Sequence, residues 1–431
     1  MRDFATSDSP AVQAQLDRLA QLSLPQGRLS LDPIRALLDR LGNPQRALPP
    51  VFHVAGTNGK GSTCAFLRAM LEAQGHHVHV FTSPHLVRYN ERIRIAGKLV
   101  GDAELAALLG EVLDIAGGIA VSFFEVTTAA AFLAFARHPA DACVIEVGLG
   151  GRLDATNAIE HPAVCGVASQ GIDHEAFLLA PENGTPAEPL ARIAFEKASI
   201  AKPGVPLVTQ AYPAGAAAQI AATAARHGAI LARRECEWNA LIGERIAYRD
   251  AAGTLDLPLP RLAGAHQADN AALAAAMLRH QSAVAVTGEA MARGIVAARW
   301  PARLQQLGPG PLTALAGSRA VWLDGGHNPD AGAAIAAHFA GLASLHLIVG
   351  MLANKNPAAI AGALGSQIAS LTVVPIPGHA AHPAGAFGPD AMYAADVAAA
   401  LALLPPGGDV LIAGSLYLAG EVLRLNREVP D

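Results

Sequence analysis

Apolar positions in this chain fall into short unbroken runs separated by longer stretches of helical spacing. Residues 51–55, 78–81, 142–147, 163–167 and 206–209 are such runs. They lack the alternation of a half-solvated strand, so each reads as a strand covered on both faces. Residues 8–22, 30–41, 103–113 and 125–136 instead repeat apolar side chains at the i, i+3, i+4 spacing of a helix. Ser30 reads as the N-cap of the second helix, and Gly42-Asn43-Pro44 as its stop. The pattern changes after residue 239. Runs at 246–249 and 255–258 flank Gly253 and predict a small hairpin, and an alanine-rich helix opens at Asn270 and runs to Leu278. Alternation then restarts with a strand at 320–324, a helix at 331–339 and strands at 345–350, 371–375 and 410–413. Residues 180–189 and 375–389 read as loops. Strand–helix alternation that occurs twice predicts an α/β chain with two mostly parallel sheets.

With 431 residues the chain exceeds what one core holds. The boundary is expected near Trp300-Pro301, giving a domain over 1–298, a linker at 299–305 and a smaller domain over 306–431. A hydrophobic fraction of 52%, a charged fraction of 16% and 42 glycines suit packed sheets joined by tight turns. The net charge of −5 argues against a nucleic-acid surface. No membrane span is expected, because every long apolar stretch holds a charge or a breaker. Met1-Arg2-Asp3-Phe4 leads into no apolar signal segment. Cys64, Cys143, Cys165 and Cys236 lie far apart and read as buried thiols of a cytoplasmic protein.

Residues 53–63, His-Val-Ala-Gly-Thr-Asn-Gly-Lys-Gly-Ser-Thr, hold the most specific chemistry. Strand, glycine turn and helix follow directly, which is the layout of a phosphate cradle. Glycines let backbone N–H groups converge on an anion at a helix N-terminus, Lys60 supplies a point charge, and Ser62 or Thr63 offers a hydroxyl to Mg²⁺. The loop is a variant: Val54 stands where the common P-loop has its first glycine, and Gly61 separates Lys60 from Ser62. The fold class is therefore α/β, an N-terminal P-loop-type sheet domain followed by a Rossmann-like doubly wound one. Ligands of open α/β sheets sit beyond the carboxyl ends of strands. Lys60, Ser83 and Glu146 all fall there. Glu146 ends an apolar strand ahead of a glycine turn, so it reads as a Mg²⁺ ligand or as a cap of that turn. His174 reads equally as a metal ligand or a hydrogen-bonding loop residue. Lys197 by itself reads as an exposed helix lysine. Asp324 and His327, in Asp-Gly-Gly-His-Asn-Pro, sit at a strand end of the second domain.

Together these motifs resemble the dihydrofolate synthase/folylpolyglutamate synthase family of the Mur ligase superfamily, nearly from end to end. The resemblance rests on Gly56 to Ser62, on Thr82-Ser83-Pro84-His85-Leu86 with Tyr89 to Ile93, and on Phe123-Phe124-Glu125. It continues through Glu146 to Asn157, Glu196-Lys197-Ala198, Leu323 to Pro329, Gly350-Met351-Leu352 and Gly414-Ser415-Leu416-Tyr417. It implies an ATP-dependent ligase that adds L-glutamate to dihydropteroate and to reduced folates through an acyl phosphate. A monofunctional folylpolyglutamate synthase is the alternative, and another Mur-type amino-acid ligase is a further one. Gly56, Thr57, Asn58, Gly59, Lys60, Gly61 and Ser62 would hold ATP phosphates, with Asn270, Arg303 and Asp324 as further nucleotide contacts. Ser83, Glu146, His174 and Lys197 would hold two Mg²⁺ ions, Lys197 as a carbamate. Arg28, Leu29, Ser30, Leu31, Ser122, Phe123, Phe124, Glu125, Leu153, Asp154 and Ala155 would line the pteroate pocket, and His327 and Ser415 would take the incoming glutamate. Lys60, Lys197, His174 and His327 are the expected catalytic group. Closure of the second domain would bring Arg303, Asp324 and His327 onto the nucleotide.

The chain departs from the family at Ala168-Ser169-Gln170-Gly171, over 175–189, which is longer and richer in proline, and at Ala302-Arg303. Three rivals compete. A cell-wall Mur ligase needs a UDP-sugar domain ahead of the loop, and 55 residues precede Gly56. A regulatory nucleotide switch needs a guanine-reading Asn-Lys-x-Asp, and Asn354-Lys355-Asn356-Pro357 fails at its last position. An inert binding module would not keep Lys60, Ser83, Glu146 and Lys197. Small-molecule substrates, a monomeric chain and no nucleic-acid or membrane partner complete the expectation.

Overall fold

The computed structural model describes residues 5–22, 30–342 and 344–431. The chain divides into two compact units. The first holds the residues up to Pro84, then Tyr89–Arg261 and Gln267–Arg299; the second holds His85–Arg88, Leu262–His266 and Trp300–Asp431. Two short segments thus belong to the second unit although they interrupt the first in sequence.

The first unit is built on an 8-stranded sheet. Its strands are β1 (Val51–Ala55), β2 (Val78–Phe81), β3 (Ile93–Ile95), β4 (Lys98–Leu99), β5 (Ala142–Glu146), β6 (Val164–Val167), β7 (Pro206–Thr209) and β8 (Ile230–Arg233). The spatial order is β4-β3-β2-β5-β1-β6-β7-β8. Every pair from β2 to β8 is parallel, while β3 and β4 add an antiparallel edge. The central runs are buried along their whole length, as their unbroken apolar pattern requires. The chain leaves β1 toward β2 on one side and returns from β5 to β6 on the other. The end of β1 is therefore the switch point of the sheet, the position at which ligands of open α/β sheets bind.

Helices Pro10–Ala20, Asp32–Arg40, Asp102–Ile115 and Phe123–Arg137 cover part of this sheet. Leu16, Leu37, Leu109 and Phe132 lie in one core with Phe81 and Ile145 of the sheet. Each such side chain contributes roughly 1.5–3 kcal/mol by leaving water. A separate antiparallel sheet holds β9 (Trp238–Ile242), β10 (Ile246–Asp250) and β11 (Gly253–Leu257). The expected hairpin is β10–β11. Strand β9 escaped notice because only Trp238 and Ala240 of its five residues are buried, too few to show a period.

The second unit carries a 6-stranded sheet of order β12-β13-β17-β14-β15-β16. Its strands are β12 (Gln305–Gln306), β13 (Val321–Leu323), β14 (Leu345–Val349), β15 (Ile368–Val373), β16 (Met392–Tyr393) and β17 (Asp409–Ala413). All pairs are parallel except β12–β13. Apolar side chains pack on both faces: Leu323, Ile348 and Ile412 lie in one cluster, Leu347, Val349 and Leu411 in another.

Three expectations need correction. The second helix starts at Asp32, not Ser30; Ser30 Oγ instead accepts from the Asp32 N–H at 3.1 Å, a turn ahead of the helix. Asn270 does not open its helix, which runs His266–Arg279. The polar run His266-Gln267-Ala268-Asp269 hides that first turn, although Gln267 is fully buried. Cys64, Cys143 and Cys165 are buried free thiols, but Cys236 is exposed. Among the described residues, no helix is long and apolar enough to cross a membrane.

Candidate active site

Strand β1 delivers the glycine loop to the start of the helix Lys60–Gln74. Gly59 caps that helix at φ +80°, a conformation L side chains rarely adopt, and it offers no side-chain acceptor. The first-turn N–H groups of the helix are thus left without a side-chain cap, at the positive end of the helix dipole. The loop is pinned from the end of β6. Thr57 N–H donates to Ser169 O at 2.7 Å, Thr57 Oγ1 donates to Gly171 O at 2.8 Å, and Ser169 Oγ donates to Asn58 O at 3.2 Å. The Lys60 ammonium folds back onto the carbonyls of Gly56 and Thr57 at 2.9 and 3.3 Å. Ser62 and Thr63 are buried in the first turn, and Thr63 Oγ1 has no hydrogen-bond partner. Asn270 packs against the loop: a Cβ on Gly59 would lie 2.5 Å from its Oδ1. Gln267 Oε1 holds the Asn270 amide at 3.1 Å.

Glu146 ends β5 at 5% exposure, and its Oε2 accepts the Ser83 N–H from the end of neighbouring β2 at 3.2 Å. The turn after Glu146 lies directly on the helix Pro189–Ala198. A Cβ on Gly151 would come 2.7 Å from Glu196 O, and Arg152 N–H donates to the same oxygen at 2.9 Å. That helix carries Lys197, which is 3% exposed. The exposed-lysine alternative is therefore wrong, and Glu196 pairs with Arg152 and Arg192 instead. Burial, and then the Lys60 ammonium, push the Lys197 amine down to about 7, against the pull of Asp173, Glu196 and Asp154. His174 has a left-handed φ of 54° and places Nε2 4.0 Å from Asp173 Oδ2. Among the described residues, no three His, Cys, Asp or Glu side chains form a metal cluster by themselves.

Ser122 and Glu125 form a capping box at the start of the helix Phe123–Arg137. Burial pushes the Glu125 carboxyl up, with its bonds to Ser122 opposing. Asp154 is pushed up by burial as well, while it accepts from Leu149 N–H at 2.7 Å and Thr156 N–H at 3.0 Å. Leu31, Phe123, Phe124, Leu153 and Ala155 all gather on one hydrophobic cluster. Ser30 is exposed beside the Asp32 turn, and Arg28 and Leu29 lie outside the described residues.

In the second unit, Asp324 is tied into its own backbone. Its Oδ2 accepts from Leu304 N–H at 2.8 Å and its Oδ1 from Gly326 N–H at 2.6 Å. Arg303 Nη1 donates to Ala302 O at 2.8 Å, and His327 Nδ1 lies 3.0 Å from Gly325 O. Ser415, after β17, caps the helix Leu416–Asn426 by accepting from Tyr417 N–H at 3.1 Å. Since β13 and β17 are adjacent, Asp324, His327 and Ser415 leave neighbouring strand ends.

Several contributors carried no sequence signal. The carbonyls of Ser169 and Gly171 pin Thr57, backbone contacts that no side-chain pattern reveals, and the Ser169 hydroxyl adds a bond to Asn58 O. Tyr212 donates to Val167 O at 2.6 Å and steadies the end of β6 from 45 residues away. Gln170, one of the departures from the family, buries an amide with no hydrogen-bond partner at either end. Asp173, next to His174, was legible only as a neighbour of a candidate ligand.

No protein-family model matches the chain. It is 33% identical over 419 residues to a folylpolyglutamate synthase of Lacticaseibacillus casei, covering 90% of this chain and 92% of that one. It is 36% identical over 355 residues to a dihydrofolate synthase/folylpolyglutamate synthase of Escherichia coli (strain K12), covering 81% and 78%. A probable bifunctional folylpolyglutamate synthase/dihydropteroate synthase of Haloferax volcanii is 34% identical over 90% of this chain, which spans only 47% of that longer relative. Among solved structures, E. coli FolC in complex with DHPP and ADP superposes with a TM-score of 0.83 at 32% identity, covering 98% of both chains. A bifunctional folylpolyglutamate synthase/dihydrofolate synthase with Mn, AMPPNP and L-glutamate bound gives a TM-score of 0.83 at 30% identity, covering 98% of this chain and 99% of that one. By the length and identity of these matches, the chain belongs to the dihydrofolate synthase/folylpolyglutamate synthase family.

Proposed function

We propose that this protein is an ATP-dependent ligase that joins L-glutamate to 7,8-dihydropteroate and to the γ-carboxyl of reduced folates. The observation that carries the reading is the grouping around the end of β1. A helix start with Lys60 and no side-chain cap stands beside strand ends that bear Ser83 and a buried Glu146, with Lys197 buried nearby. A carboxylate is a poor electrophile. Transfer of the γ-phosphoryl group of ATP to it gives an acyl phosphate, and the glutamate amine attacks that carbon and expels phosphate. The chain's task is to hold anions together and offset their charge. First-turn N–H groups and the Lys60 ammonium bind phosphate oxygens, and Thr57, pinned at both ends, fixes the loop that presents them.

The donor set suits a hard divalent cation, because Glu146 and the Ser83 hydroxyl are oxygen donors at adjacent strand ends. Ser83, Glu146, His174 and a carbamylated Lys197 would hold two Mg²⁺ ions, which neutralise phosphate charge when bound. Carbamylation needs a neutral amine, and Lys197 has its affinity for protons lowered to about 7. The carbamate shares one negative charge over two oxygens, donors that an ammonium lacks. The Leu31, Phe123, Phe124, Leu153 and Ala155 cluster supports a flat pterin-type acceptor, a group that dihydropteroate and reduced folates share. Asn270, Arg303 and Asp324 contact nucleotide in this reading, and His327 and Ser415 glutamate.

The test is ADP release with glutamate, comparing dihydropteroate with tetrahydrofolate as acceptor. Turnover with both supports the proposal; turnover with tetrahydrofolate alone makes the protein a folylpolyglutamate synthase. A cytoplasmic, monomeric protein is proposed too. Light scattering at working concentration checks the second part, and a dimer mass contradicts it.

A further inference from the structure

Three segments that bear candidate ligands meet at one buried ion network in the first unit. Arg152 lies in the turn after Glu146. Its guanidinium donates to Glu182 at 3.2 and 2.5 Å and to Glu196 Oε1 at 3.1 and 3.0 Å. Arg192, on the Lys197 helix, donates to Glu182 Oε2 at 3.0 Å and to Leu178 O at 3.0 Å. Its Nε stands 3.4 Å from Glu196 Oε1. Leu178 closes the single helical turn that starts at His174, its N–H donating to His174 O at 3.0 Å. The four side chains are 22%, 15%, 6% and 5% exposed for Arg152, Glu182, Arg192 and Glu196.

We propose that Glu182 is a positioning residue: by bridging Arg152 and Arg192 it locks the Glu146 turn, the His174 segment and the Lys197 helix into one arrangement. A plain surface ion pair contributes little and leaves its surroundings unmoved. This one differs in two respects. It is mostly buried, so loss of the carboxylate leaves two guanidinium groups sharing Glu196 in a dry environment. It also reaches residues 30 and 10 positions away in sequence, and so ties the stretch after His174 to a turn and a helix that Arg152 N–H and Glu196 O already join. Glu182 itself is held by a turn in which Thr185 Oγ1 donates to its carbonyl at 2.5 Å. Groups that orient ligands from behind control metal affinity without touching the metal.

The inference rests on the reading of Glu146, His174 and Lys197 as metal ligands, so Glu146→Gln is measured in parallel. Free Mn²⁺ is titrated by electron paramagnetic resonance against protein with a non-hydrolysable ATP analogue, and amide exchange over residues 175–188 is followed without metal. Glu182→Gln is expected to raise the Mn²⁺ dissociation constant about tenfold, to speed that exchange, and to leave KM for glutamate unchanged. Arg192→Lys keeps the charge but lacks the planar fork, and it is expected to show the same changes; it carries the test if Glu182→Gln does not fold. Native affinity together with native exchange in a folded variant overturns the inference. Native affinity in Glu146→Gln overturns the ligand reading instead, and the exchange data then judge the clamp alone.

Discussion

Substitution of Gly59 by alanine tests the geometry of the phosphate loop. Two penalties meet at this residue. Its φ of +80° costs an L residue on the order of 1–2 kcal/mol. The added methyl would also lie 2.5 Å from Asn270 Oδ1, about 1 Å inside ordinary contact. Asn270 has little room to withdraw, being 5% exposed and held by Gln267. The loop must therefore shift, and the first-turn N–H groups shift with it. A displacement near 1 Å costs about a hundredfold in rate when groups must be aligned. Gly59→Ala should lower kcat/KM for ATP about a hundredfold, with only a few degrees lost in thermal stability. Part of the effect is steric and belongs to the pair, so Gly59→Ala should cost less in an Asn270→Ala background than alone. Steady-state kinetics of the four proteins of this cycle gives the answer. A near-native kcat/KM for ATP in Gly59→Ala, or strict additivity, would refute the geometry.

Lys60→Ala should fold normally, since its ammonium bonds only loop carbonyls, and should lose about 10²–10³ in kcat; near-native turnover would sink the phosphate role. Glu146→Gln keeps the shape but not the charge, so the half-saturating Mg²⁺ concentration should rise at least about tenfold; no change would make Glu146 a structural cap. Lys197 has its folded-state value near 7, below the 10.5 of an ordinary lysine. Over that interval the unfolded chain holds the extra proton, so stability should rise with pH, by up to about 1.4 kcal/mol per unit. Denaturant melts of wild type and Lys197→Met in CO₂-free buffer should differ in this slope; equal slopes would refute the assignment.

Much of this was legible where chemistry and position coincide. The glycine loop combines residue types that a strand–helix turn needs with a lysine and hydroxyls, and Glu146 stands out as an acid ending an apolar run. The burial of Lys197 was not legible. Arg192, Glu196 and Lys197 make its helix read as amphipathic, yet residues 192–198 are all buried, and the docking of Gly151 on Glu196 shows what covers the polar side. The Arg152, Glu182, Arg192 and Glu196 network escaped for a related reason: its members lie on separate segments, and no spacing rule links them. Short edge strands such as β3, β4 and β12 bury too few side chains to show a period. Likewise, nothing in the composition of His85–Arg88 or Leu262–His266 marks them as parts of the second unit. The backbone partners of Asp324 were not legible either. Its position at a strand end suggested a ligand contact, and the structure shows two backbone N–H groups already on its oxygens.

The central claim is that the acceptor carboxylate is activated by phosphoryl transfer before glutamate attacks. Dihydropteroate labelled with ¹⁸O in its carboxylate, turned over with ATP and glutamate, tests it directly. The account predicts that each amide bond formed sends one labelled oxygen into inorganic phosphate, read by mass spectrometry, with ADP released in equal amount. Unlabelled phosphate alongside amide product, or ADP release that does not depend on the acceptor, would contradict it.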